Sequence, residues 1–265
     1  MILILLVAGC QRAPVGTAGA DGATRQCGTD AVPVGPVCVD KFEASVWKIP
    51  ATDTALIQKV RSGTATLADL TGGGAVQVGC TFEPFNGASF PASFDSTGNW
   101  TEPLYSASLP GVFPTSCVTW FQAEQACRLS SKRLLTNQEW QAAAAGTADP
   151  GTADDGGTTC VTNAELPART GSRPNCVSRW GAFDMVGNLW EWVGDWSEMA
   201  SGCDTWPERF GEDGVCFGGD GSANFPSAVA RGGSWNGKVS AGIFAISSNS
   251  EPSAAFSNLG FRCGR

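Results

Sequence analysis

Apolar and polar positions follow one another in short, unequal bursts along most of this chain, and only two stretches hold a helical period. The first, 119–130 (TWFQAEQACRLS), places Trp120, Phe121, Ala123, Ala126 and Cys127 near one face. Thr119 with Gln122 three residues later has the spacing of a capping box, in which each residue satisfies a backbone amide of the other's turn. The second, 136–146 (TNQEWQAAAAG), repeats the device with Thr136 and Glu139. It runs through four alanines and reaches Gly146, a residue suited to ending a helix. Elsewhere, apolar runs of strand length are separated by loops rich in Gly, Ser and Asp, such as 149–159. The pattern predicts a mixed α+β domain with little regular structure. One stretch stands apart: 183–196 (FDMVGNLWEWVGDW) puts three tryptophans within seven positions behind a Gly-Asn turn. Asp184, Glu191, Asp195 and Glu198 oppose a membrane belt there, so Trp190, Trp192 and Trp196 are expected to pack as core around a turn.

The first ten positions (MILILLVAGC) form an apolar run ending in small residues. It is too short to span a bilayer and has the form of a secretory h-region. Its LVAGC end is similar to a bacterial lipobox, in which the cysteine, here Cys10, becomes the lipidated first residue. A buried N-terminal strand is the alternative reading. Residues 11–31 then serve as a tether, rich in Gly, Ala and Thr up to Thr24. Residues 32–265 make one domain, with no second linker and no internal repeat.

Composition narrows the chemistry. The chain has 265 residues, 42% of them apolar, which is enough for a substantial core; its 34 glycines and 15 prolines favour loops. Net charge is −8 with no basic run, so binding to nucleic-acid phosphates is not expected. There is no histidine. That removes Ser-His-Asp triads, Cys-His dyads, two-His-one-carboxylate iron sites and most zinc hydrolase sites. Eleven cysteines suit an exported protein better than a reducing cytosol. Without Cys10 they number ten, an even count compatible with five disulfides and with no C-x-x-C spacing among them.

Five segments, in order, resemble the sulfatase-modifying-factor or formylglycine-generating enzyme family. They are CVDKFEASV (38–46), CVTWFQAEQACRLSSKRLLTNQEWQAAAAG (117–146), WGAFDMVGNLWEWVGDW (180–196), RGGSW (231–235) and SNLGFRCGR (257–265). The resemblance implies a compact, irregular, disulfide-rich α+β fold distantly akin to C-type lectins. It also implies a structural calcium ion on the G-N-x-W-E-W turn, held by carbonyls around Val186, Gly187, Asn188 and Leu189 and by the Glu191 carboxylate. Calcium accepts oxygen ligands in irregular geometry, which suits such a turn. A metal-free alternative has Glu191 accepting hydrogen bonds from backbone amides. A second calcium site of the family would use Asn163. Cys127 and Cys263 match a disulfide of better-known members. Spacing suggests Cys160–Cys176 and Cys203–Cys216, leaving Cys27–Cys38 and Cys80–Cys117.

Catalytic members oxidise a client cysteine with Cu(I) held by two thiolates, soft ligands that such an ion requires. Carried onto this chain, those positions are Gly237 and Gly242. Ser234 is a vestige of the active-site segment, without a catalytic role expected. The sequence therefore predicts a lipid-anchored, extracytoplasmic domain of the bacterial cell envelope, with structural calcium and without copper, serving as a binding or interaction module. Its partners would be the membrane, through the anchor, and a protein, peptide or small ligand, but not nucleic acid. A sulfur-directed oxidoreductase with altered chemistry is the alternative. Carboxylate pairs, Asp184 with Glu191 or Asp195 with Glu198, are candidates for acid-base work or simply surface charge. Arg231 is expected to pair with Asp195 or Glu139, and Arg133 to fork onto a carboxylate or backbone.

Overall fold

A computed structural model describes residues 26–82, 85, 88, 103–196, 199–202, 215–218 and 226–265, without the side chains of 199–202 and 215–218. Cys10, Cys203, Glu198 and the Cys216 side chain lie outside the described residues. The N-terminal half holds β1 (Ala31–Val34), β2 (Val37–Asp40), β3 (Ala44–Lys48), α1 (Thr54–Ser62), α2 (Leu67–Gly72) and β4 (Val76–Val78). The middle holds β5 (Leu104–Ser108), α3 (Trp120–Leu129), β6 (Arg133–Leu134) and α4 (Asn137–Ala143). After a long stretch of turns come β7 (Trp190–Trp196), β8 (Met199–Gly202), β9 (Val215–Gly218) and β10 (Ala228–Arg231). The chain closes with β11 (Ile246–Ser250), β12 (Leu259–Phe261) and β13 (Cys263–Gly264).

Both predicted capping boxes are formed. The Thr119 hydroxyl accepts from the Gln122 amide while Gln122 Oε1 accepts from the Thr119 amide; Thr136 and Glu139 do the same. Helix α4 is shorter than expected: it ends at Ala143, and Gly146 lies beyond it at φ +85°. The hydrophobic pattern missed α1 and α2, although both carry end signals. Asp53 caps α1 and Gly63 closes it at φ +72°, while Thr66 and Asp69 form a third capping box on α2.

Three small sheets and a hairpin share the core, ordered β1-β2-β13-β6, β11-β10-β7-β12, β4-β3-β5 and β8-β9. The tryptophans lie on a strand, β7, that follows the Gly-Asn turn. Residues of a strand alternate between faces, so Trp190, Trp192 and Trp196 share one side of β7, facing Ala123, Ala126 and Cys127 of α3. Glu191 and Val193 take the other side, where Val193 joins Trp140, Ala143 and Met185. The ring expectation holds, with Trp192 fully buried and its indole N–H donating to the Val118 carbonyl.

Disulfides join Cys27–Cys38, Cys80–Cys117, Cys127–Cys263 and Cys160–Cys176. The Cys127–Cys263 bridge ties α3 to β13 across a sequence separation of 136. In the chain-entropy model a loop of that length contributes about 4–5 kcal/mol. The folded body begins before residue 32. Cys27 is bridged, and buried Asp30 accepts from Lys132 Nζ at 2.7 Å and from Arg265 at 3.1 Å. Among the described residues no helix is long and apolar enough to cross a membrane.

Candidate functional site

Strand β7 divides two functional expectations, the calcium turn before it and the vestigial copper segment that follows its neighbour β10. The turn is built from Gly187 and Asn188, both at positive φ (+73° and +56°). Gly187 is required there, because a side chain would collide with the Val161 carbonyl as well as strain the backbone. Asn188 locks the turn: its amide N–H donates to Val161 O, its Oδ1 accepts from the Ala168 amide and its Nδ2 donates to Glu43. Glu43 completes the arrangement by accepting from the Leu189 amide at 3.0 Å.

Glu191 serves another partner. Arg262 forks onto it, with Nη2 at 2.8 Å from Oε1 and Nε within 3.2 Å of both oxygens, and the Trp140 indole N–H donates to Oε2 at 2.7 Å. Arg262 is satisfied further by the carbonyls of Asp40 and Phe183. Both members of the pair are 1% exposed. The ligand set expected from Gly187, Asn188, Leu189 and Glu191 therefore does not fit calcium in this geometry. Both Glu191 oxygens are taken, and a second cation beside the guanidinium would be repelled. Among the described residues no three acidic or thiol side chains converge as metal ligands. The carboxylate on the turn's amide is Glu43, not Glu191.

Three buried acids, Glu43, Asp184 and Glu191, thus surround one arginine. Burial, reinforced by the charges of Asp184 and Glu191, pushes the Glu43 carboxyl well above its ordinary range. Burial likewise raises Asp184 to about 6, against the hydrogen bond it accepts from the Gly171 amide. This environment does not give Asp184 and Glu191 acid-base roles, since Glu191 is held by Arg262. Asp195 accepts from the Asn137 amide and so caps α4. Asn163 lies in a loop that Asp154 and Asp155 close onto backbone amides. Sequence reasoning overlooked Glu43, Arg262 and Trp140, although charges set inside the apolar runs CVDKFEASV and GFRCGR were a usable signal for the first two.

The RGGSW segment leaves β10 through Gly232 and Gly233, at φ +91° and +83°. Arg231 does not meet Asp195 or Glu139. It stacks on Trp140, with its carbon Cζ 4.9 Å from the ring centroid, and donates to Gln141 Oε1 and the Ala245 carbonyl. Glu139 instead receives the expected fork from Arg133, at 2.7 Å on both oxygens. Ser234 is 1% exposed and donates to Asn236 Oδ1 at 2.9 Å. Gly237 precedes a single tight turn, Lys238–Ser240, and a side chain there would press on the Ser234 carbonyl at 3.1 Å and on Ala241 at 3.2 Å. At Gly242 the space a side chain would enter is filled by the Asp149 carboxylate, 2.7 Å from an ideal Cβ. The nearest sulfurs in this cluster, Cys160 and Cys176, pack with Ala241 and are bridged to each other.

The model of the sulfatase-modifying factor enzyme 1-like domain matches residues 96–265 of this chain. The chain belongs to the sulfatase-modifying-factor family. Its α+β architecture, with short strands, few helices and four described disulfides, is the fold expected of a member. Two relatives from this family, both named hercynine oxygenase, come from Mycolicibacterium smegmatis and Mycolicibacterium thermoresistibile. Each is 30% identical, over 55% and 56% of this chain and 36% and 35% of the relative. The match thus spans about a third of those proteins' length. Among solved structures, PvdO from Pseudomonas aeruginosa aligns over 86% of this chain and 80% of its own, with 18% identity and a TM-score of 0.42. The Major Tropism Determinant I1 variant aligns over 55% and 37%, with 23% identity and a TM-score of 0.43.

Proposed function

We propose that this member of the family is a non-catalytic binding or interaction module, exported and held at the bacterial envelope by lipid on Cys10. One observation carries the reading. The two positions that correspond to the copper thiolates, Gly237 and Gly242, are glycines. The cysteines add support, since the eight whose side chains are described are all bridged. The four bridges also favour an oxidising, extracytoplasmic location. The relatives' name, hercynine oxygenase, favours a second reading, an oxidoreductase of altered chemistry, whose thiols would have to come from Cys203 and Cys216.

The two readings separate in one assay. The mature chain is incubated with Cu(I), a thiol reductant, oxygen and a cysteine-containing peptide. The binding reading predicts no aldehyde on the peptide and no oxygen uptake above the copper-buffer control; catalytic turnover lost in Cys203→Ser establishes the oxidoreductase instead. Labelling with radioactive palmitate, abolished in Cys10→Ser, checks the anchor.

A further inference from the structure

The tryptophan face of β7, in the sheet β11-β10-β7-β12, packs against α3. At the end where Trp190 and Leu259 pair across β7 and β12, a cavity of about 390 Å³ opens. Trp190, Ser247, Asn249, Ser250, Phe256 and Asn258 are among the residues that line it. Ser234, Gly237 and Gly242 are not. A second cavity shares Asn249, Ser250 and Phe256 and adds Glu251, so the space continues around the Phe256 ring as a groove.

The lining chemistry is selective. Among the described residues the first cavity has no Asp, Glu, Lys or Arg on its wall, and the continuation adds Glu251 alone, so no described cation there compensates an anionic ligand, whose desolvation would go unmatched. Three features point instead to a neutral ligand rich in hydroxyls. Phe256 is 51% exposed, an aromatic ring offered to solvent at the groove's centre. Trp190 is half-buried and lines the cavity together with Asn258, whose side chain carries an amide. Asn249 is oriented, because Ser247 donates to its Oδ1 at 2.6 Å and leaves Nδ2 to donate elsewhere. Amides both give and accept hydrogen bonds, as vicinal hydroxyls do, while aromatic rings take the apolar C–H face of a sugar. The volume lies in the ordinary range for small-ligand sites, about 300–1,000 Å³.

From this geometry we infer that the groove binds a neutral saccharide, with Phe256 as the stacking platform and Trp190, Asn249 and Asn258 as hydrogen-bonding groups. The inference rests on the binding-module reading and gives it a ligand class. The ligand is held without a metal, by amides and rings alone.

The test uses the mature chain and three probes, N,N′-diacetylchitobiose, cellobiose and maltose, titrated by calorimetry and by saturation-transfer NMR. The expected result is saturable binding of at least one sugar, weakened tenfold or more in both Phe256→Ala and Asn249→Ala and insensitive to EGTA. Both side chains are exposed, so circular dichroism should report an unchanged fold. Absence of saturable binding to all three sugars overturns the inference, as does binding that neither variant weakens or a preference for the neutral tripeptide Gly-Ser-Gly. Copper content is measured on the same samples. Copper-free protein that ignores sugars loses the saccharide alone, whereas copper-loaded protein that turns over thiols loses the reading beneath it.

Discussion

Arg262 is the residue on which the interior of this chain turns. It is fully buried, forks onto Glu191 and reaches two backbone carbonyls. Removing one member of such a pair strands the other's charge, so Arg262→Met should destabilise by about 3–5 kcal/mol in urea unfolding. Arg262→Met with Glu191→Leu should recover most of that loss; equal loss in the single and double variants would show that the pair is not the cause. A second buried group carries a pH signature. Asp40 is paired with Lys132 at 2.6 Å, yet burial outweighs that cation and raises its carboxyl from 3.8 to about 6. Asp30, facing the same lysine, is also opposed by burial, but Lys132 and Arg265 together bring it below its ordinary value. For Asp40 the native state holds the proton more tightly than the unfolded chain, so this contribution is intact below about pH 4 and is lost as pH rises through about 6. Asp40→Asn should therefore gain stability relative to the parent between pH 4 and 6, measured as the difference of two Tm-against-pH curves. A constant difference would contradict the assignment. A charge inside an apolar run marked both residues as unusual in the sequence, but it does not say which partner the fold will bring to it.

At the scale of elements, local signals were read well where both ends of an element are written in adjacent residues. Thr119 with Gln122 and Thr136 with Glu139 marked α3 and α4 correctly. The same logic at Asp53, Gly63, Thr66 and Asp69 would have found α1 and α2. Thr136→Ala should cost about 1 kcal/mol, seen as a lower urea midpoint at unchanged slope. Glu139→Ala should cost more, since it also releases Arg133; equal losses would mean the fork adds nothing. Strand β7 was not identified as a strand from the sequence, for a physical reason. Its second face, with Val193, meets Trp140, Ala143 and Met185, so Glu191 sits on a buried side where alternation of apolar and polar residues fails.

For the whole molecule, five ordered motifs sufficed to place the chain in its family, while the partners of the central charges had to be seen in three dimensions. Calcium illustrates the gap. The turn expected to hold it is closed instead by Glu43, Asn188 and the Arg262–Glu191 pair. A native-state site at a hundredfold its Kd would add about 2.7 kcal/mol. The unfolding transition in EGTA should instead coincide with that in excess calcium, and an upward shift with calcium would restore a metal to the turn. The case against copper rests on Gly237 and Gly242, which stand where thiolates would be, and on the bridges that join the cysteines whose side chains are described. The measurement that reaches it most directly is a Cu(I) titration of the mature chain in competition with bicinchoninate, alongside a thiol count in denaturant. The account predicts that the chain withdraws no copper from the competitor and exposes no free thiol. One tightly held copper per chain, with two reactive thiols, would contradict it and turn attention to Cys203 and Cys216.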